Sequence, residues 1–113
     1  QDRSKTILAY LLQQHPEDFA HLYSHRGYVQ QASGRLSDAI ESHSTALKLK
    51  HNCDFLVFYL RGSCFQAMGD SKSALADFNS AIQSNPSYDE ALSARMIIRK
   101  QQNEVNKVEN RLF

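Results

Sequence analysis

Two glycines, Gly27 and Gly62, stand 35 residues apart, and the residues around them repeat in step. Placing Tyr23-Ser24-His25-Arg26-Gly27 over Phe58-Tyr59-Leu60-Arg61-Gly62 brings Gly34 onto Gly69, Ala39 onto Ala74 and Ala46 onto Ala81. A period of this length with small residues at fixed offsets marks a stacked helical repeat, in which each unit buries its apolar face against its neighbours. The architecture this predicts is all-α, a solenoid of antiparallel helix pairs. It favours a surface that binds over a cleft that catalyses.

Breakers set the helix lengths. Pro16, Gly34, His51-Asn52, Gly69-Asp70 and Asn85-Pro86 divide the chain into six stretches. The expected helices span 3–14, 17–32, 36–50, 54–68, 71–84 and 88–111, with Ser37 as the N-cap of the third. Ile7, Leu8, Leu11 and Leu12 give the first its helical stripe. Phe55 to Leu60 alone could pass for a buried strand, but its match to the Tyr23 segment favours helix. Gly34 and Gly69 close the second and fourth helices, where a left-handed residue is wanted. Gly27 and Gly62 fall in mid-helix, where glycine costs roughly 0.5–1 kcal/mol relative to alanine. Keeping it twice in register implies that a neighbouring group presses on that spot.

Composition narrows the function. A formal net charge of +1, with Lys and Arg spread along the chain, offers no basic stripe for nucleic acid or an anionic membrane. The apolar runs are too short to span a bilayer. Cys53 and Cys64 lack metal-ligand spacing and are expected as reduced thiols in a cytoplasmic protein. The first residue is Gln1 rather than Met, as expected of a segment of a longer protein. His21 and His25 share a helix face, but neither the HExxH pattern nor a third ligand accompanies them, so no metal is expected. No phosphate loop or nucleophile motif occurs, and neither enzyme activity nor a cofactor is expected.

Phe58-x-x-Arg61-Gly62-x-x-Phe65, Gly69, Ala74-x-x-x-Phe78-x-x-Ala81 and Pro86 together resemble the tetratricopeptide repeat. The preceding copy has Tyr23, Gly27, Gly34, Ala39 and Ala46. Gln30, His43 and His51 there replace the second aromatic, the phenylalanine and the proline, which suggests looser packing. The resemblance implies one domain over 1–113: a B-type helix (3–16), repeat one (17–51), repeat two (52–86) and a C-terminal capping helix (87–113). Two repeats fall short of the roughly three needed for stability, so the flanking helices would supply the missing neighbours.

The family lines a concave groove with its A helices. Carried over, its groove positions are His21, Ser24, His25, Tyr28 and Gln31, then Leu56, Tyr59, Leu60, Ser63 and Gln66, then Glu90, Ser93, Ile97 and Lys100. This mixed face suits a protein or peptide partner held by a few apolar anchors. The other reading of Leu56, Leu60 and Ile97 is packing against neighbouring helices. The clamp with which some members hold the C-terminal tail of heat-shock proteins maps to Ser24, Tyr28, Leu60, Glu90 and Ala94. None of these matches, which argues against such a tail. Arg26, Arg61 and Arg95 recur at one place in successive A helices. They either form a ladder for an acidic partner or, more simply, pair with Asp38, Asp77 or Glu90.

The end of the chain leaves two readings open. Ile98, Val105 and Leu112 are spaced by seven, with Val108 also apolar and Gln101 at the other seam position. That pattern would let a homodimer form through the C-terminal helix, although it covers only about two heptads. Otherwise the helix caps the stack, lies on the fifth helix as far as about Val105, and then frays.

Overall fold

The computed structural model describes residues 3–49 and 54–113. His51, Asn52 and Cys53, named above, lie outside the described residues. Six helices follow one another: α1 (Arg3–Gln14), α2 (Pro16–Ala32), α3 (Leu36–Lys48), α4 (Asp54–Ala67), α5 (Ser71–Ser84) and α6 (Asp89–Leu112). There is no strand among the described residues. The apolar run from Phe55 to Leu60 is helical.

The punctuation has local causes. Pro16 opens α2, where its fixed φ suits the first turn and its missing N–H is not needed. Helices α2 and α4 end in the same way. Gly34 and Gly69 adopt φ of 81° and 85°. Arg35 N–H then donates to Gln30 O at 2.9 Å and Gly34 N–H to Gln31 O at 3.0 Å, matched by Asp70 to Phe65 at 2.9 Å and Gly69 to Gln66 at 3.0 Å. These paired bonds are the Schellman closure, and they give both hairpins one exit direction. On α5, the Asp70 carboxylate accepts from Ser73 N–H at 3.1 Å, and the Ser73 hydroxyl first, then this backbone bond, hold the carboxyl below its ordinary pKa. The start of α3 differs from expectation. Ser37 lies inside the helix, Arg35 occupies the cap position without a side-chain cap, and its guanidinium instead meets Asp38 at 2.7 Å.

The helices pack mainly as a row: α2 on α3, α3 on α4, α4 on α5, α5 on α6. The result is elongated, 64 × 30 × 22 Å. Alanines make the close approaches possible. Ala20, Ala39, Ala46, Ala74, Ala81 and Ala91 are all fully buried.

The mid-helix glycines show what presses on them. A Cβ at Gly62 would stand 2.8 Å from Cε1 of Phe78 and 3.1 Å from Cβ of Asp77. A Cβ at Gly27 would stand 2.7 Å from Cε1 of His43. Helices α2 and α4 thus each leave a bare patch of backbone against which a ring from the following helix rests. Phe78 continues into a cluster with Ala74 and Ile98, flanked by Tyr59, Phe65, Leu75 and Ala94. In the first hairpin the ring is an imidazole, and both of its nitrogens are buried without a hydrogen-bond partner. The polar residues there are not loosely held: His43 is fully buried, and Ser42 Oγ donates to Gln30 Oε1 at 2.6 Å.

Candidate functional site

Helices α2, α4 and α6 are the A-type helices, and α2 touches α4 along the stack. Residues at three- and four-residue intervals on one helix share a face. His21, Ser24, His25, Tyr28 and Gln31 therefore form one row on α2, and Leu56, Tyr59, Leu60, Ser63 and Gln66 form a band on α4. Tyr28, Leu56 and Ile97 are exposed apolar side chains. His21, His25 and Lys100 are also exposed, while Ser24, Gln31, Leu60, Ser63 and Gln66 are half-buried.

An open cleft of ≈ 430 Å³ separates α4 from α6. Tyr59 and Gln66 form one wall, and Asp89, Glu90, Ser93, Ala94 and Ile97 the other. The structure thus brings Tyr59, Gln66, Glu90, Ser93 and Ile97 together from the expected set. It adds Asp89 and Ala94, which sit beside the helical face of Glu90, Ser93 and Ile97. Leu56, Leu60, Ser63 and Lys100 do not line this cleft, nor do the five α2 residues.

Several of these side chains are already engaged. Tyr59 packs edge-on against Tyr88, with ring centroids 5.4 Å apart, and tilted against Phe78 at 5.8 Å. Phe55 meets Tyr88 edge-on at 5.1 Å. Burial, then the nearby Glu90 and Tyr59, raise the Tyr88 phenol above its ordinary pKa. Ser63 Oγ donates to Tyr59 O at 2.9 Å, within its own helix. Gln31 Oε1 is buried without a hydrogen-bond partner.

The arginines do not form a ladder in a common environment. Arg61 grips Asp77 with two bonds, Nε to Oδ2 at 2.8 Å and Nη2 to Oδ1 at 2.7 Å, and reaches Ser44 Oγ at 3.1 Å. Arg95 donates to Asn79 Oδ1 at 3.2 Å. Arg26 is exposed beside a small polar pocket with Tyr23, Gln30 and Ser42, because Ser42 occupies the place that Asp77 holds in the next hairpin. The simpler expectation, pairing with an acid on an adjacent helix, holds for Arg61. Arg61→Ala should lower stability by about 2 kcal/mol, since it strands the buried Asp77 carboxylate without its partner. Urea unfolding checks this; a loss of partner binding at unchanged stability would instead favour a guanidinium that serves the ligand.

No three His, Cys, Asp or Glu side chains gather as a metal site among the described residues. No helix there is long and apolar enough to cross a membrane.

No family model matches the chain, and no curated protein matches it. Solved structures do. The second TPR domain of Spaghetti (RPAP3), bound to the HSP90 peptide SRMEEVD, superposes with a TM-score of 0.74 at 21% identity, over 87% of this chain and 89% of that one. The first TPR domain of the same protein, bound to the same peptide, gives 0.72 at 19% identity, over 83% and 76%. The chain has the tetratricopeptide fold.

These likenesses correct one expectation. The case against a heat-shock tail rested on five clamp positions, and it does not stand when two domains of this fold are solved with an HSP90 peptide. A seven-residue peptide offers backbone and side-chain groups beyond its terminal carboxylate, so five absent side chains do not exclude it.

Proposed function

We propose that this domain is a protein-interaction module, a scaffold or adaptor element that holds a peptide or helix of a partner along the face of α2, α4 and α6. The observation that carries the reading is the cleft between α4 and α6. There Ile97 stands exposed across from the Tyr59 ring, with carboxylates at one end and Gln66 in the same wall. An apolar side chain of a ligand would seat between Tyr59 and Ile97, and hydrogen bonds to Ser93 and Gln66 would fix its register. Binding of this kind rests on shape and a few anchors, and no bond is made or broken. A reducing, intracellular setting belongs to the same reading, supported by the free, buried Cys64.

The HSP90 peptide that the fold neighbours hold is the first probe. Asp89 and Glu90 make the start of α6 negative, so an acidic ligand would direct its carboxylates towards Lys100. Fluorescence polarisation with labelled SRMEEVD and a panel of apolar-anchored peptides tests the reading. Ile97→Glu should weaken the binding peptide by about tenfold or more, with an unchanged melting temperature. Tyr59→Ala is a poorer probe, because its ring also packs on Phe78 and Tyr88. A ligand that ignores Ile97 would move the binding face elsewhere.

A further inference from the structure

The apolar stripe of α6 runs past the helix that covers it. Ile98 is buried in the cluster with Ala74 and Phe78 of α5. Beyond it every residue from 99 to 113 is exposed, yet the helix continues to Leu112. The reach of the cap is thus corrected: α6 packs on α5 as far as Ile98 and not as far as Val105, and it runs on as helix to Leu112. Val105, Val108 and Leu112 are 55%, 52% and 70% exposed. At one position in seven plus an intermediate step, they share one side of the helix, with Gln101 completing the row.

From the charges flanking this row we infer that the overhang of α6 pairs with the same segment of a second copy, in antiparallel orientation. In that orientation Val105 faces the second copy's Val108, and Gln101 faces its Leu112. Glu104 then lies opposite the second copy's Arg111, and Gln102 opposite its Glu109. By two-fold symmetry each of these contacts occurs twice. The parallel alternative would set Glu104 against the second copy's Glu109, a like-charge pair made twice. Within its own chain Glu104 meets Lys107 at 3.7 Å, an exposed and loose pair that does not compete strongly. The register also fits the space. Leu112 of the second copy comes level with Gln101, beyond the buried Ile98. This surface is separate from the cleft between α4 and α6, and the inference does not depend on the groove reading.

The seam is short, so the dimer is weak and concentration-dependent. Sedimentation equilibrium of the 113-residue chain, from micromolar to millimolar, should show a monomer–dimer equilibrium. Val105→Lys with Val108→Lys should abolish it while circular dichroism and the melting temperature hold, since neither side chain packs on the stack. Glu104→Arg gives the direction. It sets a guanidinium against the second copy's Arg111 in the antiparallel pairing and should weaken the dimer roughly fivefold. Adding Arg111→Glu should restore it. A monomer at every concentration overturns the inference. So does a dimer that survives the paired lysines, which would place the contact elsewhere. A dimer strengthened by Glu104→Arg overturns the antiparallel pairing, because that result belongs to a parallel seam.

Discussion

Phe78→Ala should lower the stability of this domain by about 3–5 kcal/mol, the range for emptying a fully buried aromatic site. In a domain of marginal stability, with about 5–15 kcal/mol in total, that is a large share. The ring lies against the bare backbone of Gly62, and it joins Ala74 and Ile98, so its loss loosens α4, α5 and α6 together. Gly62→Ala attacks the same contact from the other side. It gains helix propensity, but its methyl would meet Cε1 of Phe78 at 2.8 Å and Cβ of Asp77 at 3.1 Å. The second of these is tied to the α5 backbone and cannot swing aside. We expect a net loss of about 1–3 kcal/mol. The double variant should lose less than the sum, because the alanine methyl enters space that the ring has left. Urea unfolding of the four proteins closes the cycle. Strict additivity would mean that glycine and phenylalanine do not meet.

The second large effect is a pH dependence stored in the first hairpin. His43 occupies the place of Phe78, fully buried with neither nitrogen bonded. Burial first, and the positive Arg61 second, lower its pKa from 6.5 to about 4. Between those values the unfolded chain carries a proton that the native state refuses. Stability therefore falls as pH drops through 6.5 and levels off below about 4. At about 1.4 kcal/mol per unit, the full span amounts to roughly 3 kcal/mol. His43→Phe should remove this slope and add about 1–2 kcal/mol at neutral pH, where it replaces two unbonded polar atoms by carbon. Thermal melts of both proteins at intervals from about pH 7.5 to 4 provide the difference curve, in which other titrating groups cancel. Parallel curves would mean that His43 takes up its proton as readily in the native state as in the unfolded chain.

The places where the fold was legible share a cause. Pro16, Gly34 and Gly69 act through their own backbone geometry, so the start of α2 and the ends of α2 and α4 can be foreseen from neighbouring residues alone. The meaning of Gly27 and Gly62 was also within reach, because a costly residue repeated in register has to be answering something across the interface. Which ring answered required the partner helix. His43 stands out in the sequence only as a departure from Phe78, and that departure suggested looseness. The structure instead holds the imidazole as closely as the phenyl ring, because the alanines around it keep the helices near. Ser37 misled because its cap propensity is local, while Arg35 draws Asp38 into a pairing that leaves the first turn uncapped. The reach of α6 over α5 depended on where α5 ends in space, which no spacing within α6 records. For the groove, Glu90, Ser93, Ile97 and Lys100 on α6 came from the resemblance to the repeat family. The double engagement of Tyr59, by Phe78 and Tyr88, joins separate stretches of the chain and had no signal in any one of them.

Because each helix leans chiefly on the one before and the one after, the molecule is a file rather than a knot. A file loses members from its ends. α1 has little besides α2 to rest on, and the far half of α6 stands clear of the stack. The extremities should therefore exchange their amide protons long before α3, α4 and α5 do, and an unfoldase or protease that seizes either tip would meet rising resistance as it advanced toward the middle.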